Sequence, residues 1–74
     1  MTIIFNQRVR HLREEAGLTQ EQAAEALGIS SRNYQRLEAD DAIPGYKSML
    51  AIGKYYHVSL DYLVGWTEKR DVNL

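Results

Sequence analysis

Between Thr19 and Ser30 the chain carries a helix start, a helix stop and a second helix start. Thr19 opens a capping box: its hydroxyl can accept from the amide of Gln22, whose side chain reaches back to Thr19. Ala23, Ala24 and Leu27 then share an inward face, and Gly28 supplies the residue on which such a helix ends. Ser30 is a cap again, and Ile29 before it can pack on Tyr34 as a hydrophobic staple that fixes the entry angle. The spacing predicts one helix over 20–27 and a second from Ser31 to Glu38, joined only by Gly28-Ile29-Ser30. So short a joint makes the two helices cross steeply, as in a helix-turn-helix at 20–38, and the small side chain of Ala24 allows the close approach.

The remaining chain reads as helix as well. Phe5, Val9, Leu12 and Ala16 form one apolar stripe, with Asn6 as a candidate cap and Gly17 just past the end, so helix 1 is expected over 6–16. After a loop over 39–45, Met49, Ile52, Gly53 and Tyr56 fall on one face of a fourth helix over 46–56. Gly53 inside a helix costs about 1 kcal/mol against alanine, which points to a close helix crossing there. His57 is placed to take the left-handed stop. Ser59 caps a short fifth helix with Asp61 on its positive end, Leu60, Leu63 and Val64 inward, and Gly65 closing it. Pro44 is the single proline, and strand-like alternation is scarce. The expectation is an all-α, compact five-helix bundle over 1–66 with a polar tail at 67–74.

Size and composition narrow the function classes. A chain of 74 residues holds one domain, and such a domain buries only about 60% of the surface its unfolded form exposes. An enclosed catalytic cleft is hard to build at this size. No cysteine is present, so neither disulfides nor a cysteine-based zinc site is expected, and a reducing cytoplasm suits the chain. There is no basic-then-apolar leader and no apolar run near ~18 residues, so secretion and membrane spanning are not expected. His11 and His57 stand alone on separate helices, with no phosphate-binding glycine loop and no metal-ligand cluster, so neither an enzyme nor a cofactor is expected. Nine Lys and Arg against ten Asp and Glu give a net charge of −1. That is not the balance of a nonspecific nucleic-acid coat, and any nucleic-acid binding has to come from local placement of charge.

Leu18-Thr19-Gln20, Ala24, Leu27-Gly28-Ile29-Ser30, Leu37-Glu38 and Val58-Ser59-Leu60-Asp61-Tyr62-Leu63 with Gly65 together resemble the phage repressor and Cro type of helix-turn-helix regulators, the XRE family. The likeness covers residues 6–65. It implies a lambda-repressor-like bundle of four or five helices that binds operator DNA as a two-fold dimer.

Helical geometry singles out the same surface. With Tyr34 and Leu37 inward, Arg32 and Arg36 point the other way, Gln35 lies beside them, and Ser31 sits in the first turn. Arginine can grip guanine O6 and N7 with two hydrogen bonds, and glutamine can do the same for adenine. The plain alternative is a pair of solvated surface charges. The resemblance implies base contacts at Ser31, Arg32 and Arg36, with Asn33 and Gln35 contributing in some members, and a phosphate contact at Gln20. Ser30, at the start of the same helix, is a further phosphate candidate. It also implies that Arg13 and Glu38 form a structural ion pair bracing helix 3 on helix 1.

The sequence departs from the family pattern after helix 3. Many relatives carry Asn-Gly and a cation there, whereas this chain has Ala39-Asp40-Asp41-Ala42-Ile43. Phosphate contacts then have to come from elsewhere, and Lys47, Lys54, Arg8 and Arg10 are the candidates, Lys47 first because helix 4 starts near the backbone in the family. Dimer contacts have Tyr62, Val64 and Trp66 as candidates, with Ile3, Ile4, Val72 and Leu74 behind them, unless Trp66 and Val64 complete the small core. The expected function is sequence-specific binding of a pseudo-palindromic DNA duplex and transcriptional regulation, most simply repression. The competing reading is a protein-binding module on the same scaffold, an antitoxin or anti-repressor, which the acidic loop favours.

Overall fold

The computed structural model describes residues 4–39 and 45–70. Five helices follow in order: α1 Phe5–Glu15, α2 Gln20–Leu27, α3 Ser31–Leu37, α4 Tyr46–Tyr56 and α5 Leu60–Val64, and no strand occurs among the described residues. α3 lies against α2, while α5 bridges α1 and α4.

The local signals operate as their chemistry dictates. At Thr19 both halves of the capping box form, Gln22 N donating to Thr19 Oγ1 at 3.1 Å and Thr19 N to Gln22 Oε1 at 2.9 Å. Ser30 and Ser59 cap α3 and α5, each accepting from the amide three residues on at 3.1 Å. Gly28 turns left-handed at φ 73° to release the chain from α2, and His57 does the same after α4 at φ 55°.

The core gathers Phe5, Val9 and Leu12 from α1, Ala23 and Ala24 from α2, Tyr34 and Leu37 from α3, Ile52 from α4, and Val58, Tyr62 and Leu63 from the C-terminal third. Burying a side chain the size of Phe5, Leu12, Ile52 or Leu63 contributes about 1.5–3 kcal/mol, so this one cluster carries most of the domain's stability. Gly53 is the close crossing: a methyl there would lie 3.2 Å from the Val58 carbonyl oxygen and 3.3 Å from Leu60 Cδ2.

Several expectations are corrected. α1 starts at Phe5 with Ile4 as the preceding residue, and Asn6 is buried in the first turn instead of capping it, because Phe5 must reach the core. Ala16 leaves the apolar stripe and is exposed past the end of α1. α3 stops at Leu37 and leaves Glu38 as its C-cap. Val64 faces outward, 37% exposed, while Tyr62 turns inward. The segment 67–70, part of the expected polar tail, packs back on the bundle. Ser59 N donates to the Arg70 carbonyl at 2.9 Å, Arg8 reaches the Thr67 carbonyl at 2.7 Å, and Arg70 pairs with Glu15 at 2.7 Å, strapping the segment across α1 and α5. The acidic positions Asp40 and Asp41, together with Ile3, Val72 and Leu74, lie outside the described residues.

Candidate nucleic-acid interface

α3 is amphipathic in the sense the spacing requires. Tyr34 is fully buried and Leu37 nearly so, which pins one side of the helix to α2 and the core. Arg32, Asn33, Gln35 and Arg36 are exposed on the remaining surface, and Ser31 is half-buried at its edge. Arg36 also sits in the last turn, where a positive charge complements the helix dipole.

The arginines fall into two groups. The chain has six arginines. Arg8 is only 12% exposed, bonded to the Tyr62 and Thr67 carbonyls and to Glu68. Arg10 and Arg13 both reach Glu38, and Arg70 holds Glu15. Arg32 and Arg36 remain, and no acidic group among the described residues lies within ion-pair distance of either. An otherwise slightly acidic protein thus presents, among the described residues, two guanidinium groups without an ion-pair partner on one short helix.

Glu38 is the bracket behind that helix. Its side chain is 2% exposed and receives Arg13 Nε at 2.7 Å and Nη2 at 3.2 Å, a bidentate pair, with Gln20 Nε2 at 3.2 Å. Burial pushes the carboxyl up, but the polar groups around it, the Arg13 guanidinium first, outweigh that and hold the group below the usual carboxylate range. Arg13 also donates to the Leu18 carbonyl at 2.9 Å, so the pair ties α1, the turn before α2, and the end of α3 together. An open groove of about 550 Å³ runs beside it, lined by Arg13, Thr19, Gln20, Glu21 and Gln35. It joins the start of α2 to the exposed side of α3.

The other candidates divide. Gln20 is half-buried, donates from Nε2 to Glu38 and lines the groove. Ser30 is exposed, its oxygen used as the α3 cap. Lys47 and Lys54 are exposed on α4. Arg8 is not a surface cation: its guanidinium lies over the Tyr62 ring and closes the 67–70 strap. Tyr62, expected at a dimer surface, is covered by that same arginine. Trp66 is 79% exposed and does not complete the core. Sequence reasoning missed Tyr46, 72% exposed beside Lys47; its place before a lysine, just after Pro44-Gly45, is the only local signal.

Residues 9–63 match the family model described as helix-turn-helix. The chain belongs to the helix-turn-helix family. Among its relatives this helix-turn-helix chain is 37% identical over 68 residues to the HTH-type transcriptional regulator YobD of Bacillus subtilis, an overlap of 92% of this chain and 61% of YobD. It is 39% identical over 64 residues to the HTH-type transcriptional regulator ImmR of the same organism, covering 86% of this chain and 50% of ImmR. The chain therefore spans only half to about three-fifths of these relatives. In three dimensions it is similar to the solution structure of the DNA-binding domain of the P22 c2 repressor, with a TM-score of 0.74 and 26% identity, over 88% of this chain and 87% of that one. The five-helix arrangement is thus that of the phage-repressor type. No helix among the described residues is long and apolar enough to cross a membrane.

Proposed function

We propose that this chain binds double-stranded DNA sequence-specifically, with α3 in the major groove, and regulates transcription in the cytoplasm, most simply by occluding a promoter. The observation that carries the reading is the pair Arg32 and Arg36: exposed, uncompensated among the described residues, and held on a helix whose opposite side is locked into the core. A major groove about 12 Å wide admits a helix of about 10–12 Å diameter. Arg32, Arg36 and Gln35 are the base readers, with Ser31 and Asn33 at the leading turn. Gln20, Ser30 and Lys47 contact flanking phosphates. Membership of the helix-turn-helix family, the regulators named among its relatives, and the likeness to a repressor's DNA-binding domain support this assignment.

Two copies bind a pseudo-palindrome. Cα extents of 28 × 27 × 21 Å leave room for two copies to lie side by side on half-sites about 34 Å apart, one turn of B-DNA. Val64 and Trp66 are the apolar groups at hand for that contact.

The test is selection of duplexes from a random pool, followed by affinity measurements on the winner over a salt series. A phosphate-anchored complex loses affinity steeply with salt, whereas an apolar protein contact hardly changes. Failure to enrich any duplex, or a flat salt profile, would transfer the reading to a protein-binding module on this scaffold.

A further inference from the structure

The end of α3 draws a donor from another helix. Four helices close with a six-to-one hydrogen bond through a left-handed residue: Leu18 N to Arg13 O at 3.1 Å, Ile29 N to Ala24 O at 3.0 Å, Val58 N to Gly53 O at 3.1 Å, and Trp66 N to Asp61 O at 2.9 Å. These bonds satisfy carbonyls that a helix C-terminus otherwise leaves without partners. At the end of α3 no described residue is left-handed: Glu38 has φ −94° and ψ −2°, and among the described residues the short bonds Glu38 N to Gln35 O and Ala39 N to Arg36 O, both 3.2 Å, close the turn. At this end a side chain from another helix arrives. Arg10 Nη2 donates to the Glu38 main-chain carbonyl at 3.2 Å, and its Nε lies 3.6 Å from Glu38 Oε1.

We propose that Arg10 is the C-terminal cap of α3, supplied in trans by α1, and that it positions the last turn carrying Arg36 instead of gripping a phosphate. The charge on Glu38 is already matched by the bidentate Arg13, so Arg10 is not required for neutrality there. What it adds is a donor and a positive charge at the C-terminal end of the helix dipole, where both are favourable. Its side chain is half exposed. The cap fixes the turn in which Arg36 O accepts from Ala39 N, and hence the direction in which the Arg36 side chain leaves the helix. The consequence for Arg36 rests on the DNA-binding reading; the cap itself does not.

Two measurements on the full chain separate these roles, using Arg10→Ala and Arg10→Gln. Glutamine keeps a donor and removes the charge. Without DNA, Arg10→Ala speeds amide hydrogen exchange at Glu38 and Ala39 by about two- to fivefold, leaves the amides of α4 unchanged, and Arg10→Gln recovers most of the protection. Unchanged exchange at Glu38 and Ala39 overturns the cap. On a duplex selected by the parent, Arg10→Ala keeps the parent's slope of log affinity against log salt. Its preference for that duplex over one altered at the base pair read by Arg36 falls by about threefold. A slope shallower by about 0.9 with that preference intact marks Arg10 as a phosphate ligand and overturns the proposal. If no duplex is selected at all, the DNA-binding reading falls while the exchange result still decides the cap.

Discussion

The Arg8 guanidinium lies 4.1 Å from the centre of the Tyr62 ring and donates to the main-chain carbonyl of that same residue. One arginine near the start of the chain thereby clamps α5 and, through the Thr67 carbonyl and Glu68, the strap that follows it. Arg70 approaches the same ring at 5.9 Å while holding Glu15, so the strap is fastened at both ends. Arg8→Ala removes a nearly buried cation from two carbonyl acceptors and an aromatic face. The expected loss is about 2 kcal/mol of unfolding free energy, seen as a lower urea midpoint at unchanged m-value. The salt dependence of DNA binding should stay as in the parent, since Arg8 has no hand free for phosphate.

Glu38 makes stability depend on acid. Its folded pKa lies below the unfolded value of about 4.3, so the unfolded chain binds the proton more readily. The contribution is therefore complete above about pH 4.3 and disappears as pH falls through the lower, folded pKa. Glu38→Gln strands Arg13 and should cost about 3 kcal/mol at neutral pH. Urea midpoints measured from pH 7 down to pH 3 should converge for parent and variant. A constant gap across that range would mean that the ion pair is not the source.

Gly65 and Gly17 are both left-handed, at φ 90° and 74°, but only Gly65 is crowded. A methyl at Gly65 would lie 2.7 Å from Ile4 Cδ1 and 2.8 Å from its Cγ1, whereas a methyl at Gly17 meets nothing within 4 Å. Gly17→Ala should cost about 1 kcal/mol from backbone strain alone, and Gly65→Ala about 1–3 kcal/mol more through displacement of Ile4. Equal costs in thermal or urea unfolding would show that the Ile4 contact yields freely.

These residues mark what could be read from the sequence. The Thr19 box, the caps at Ser30 and Ser59, the stops at Gly28 and His57, and the inward Tyr34 and Leu37 are decided within a turn or two of chain, where hydrogen-bond geometry is local. Tyr34 and Leu37 in turn dictate that Arg32 and Arg36 face outward, so the candidate surface was legible too. The fate of Arg8 was not, because its partners stand 54 to 60 residues away. The inward turn of Tyr62 and the outward Trp66 follow from that clamp and from the strap, which no periodicity announces. Arg10 was legible as a cation but not as a cap, since the carbonyl it meets belongs to another helix.

Trp66 is the single tryptophan and is largely solvent-exposed. Trp66→Ala should leave the unfolding free energy of the isolated chain within about 0.5 kcal/mol of the parent. If the exposed indole joins two copies on a palindrome, the variant weakens two-copy binding by about tenfold or more while binding to a single half-site is kept. Sedimentation on full and half duplexes reads both. An equal loss on the two duplexes would remove Trp66 from the interface.

The central claim is that two outward arginines on α3 read bases. Fluorescence anisotropy on a selected duplex, comparing the parent with Arg36→Ala and with the exposed control Lys69→Ala, tests it most directly. Arg36→Ala should lose about 1–3 kcal/mol of discrimination at one base pair per half-site, while Lys69→Ala discriminates as the parent does. Identical preference among the three proteins, at every position of the site, would contradict the account.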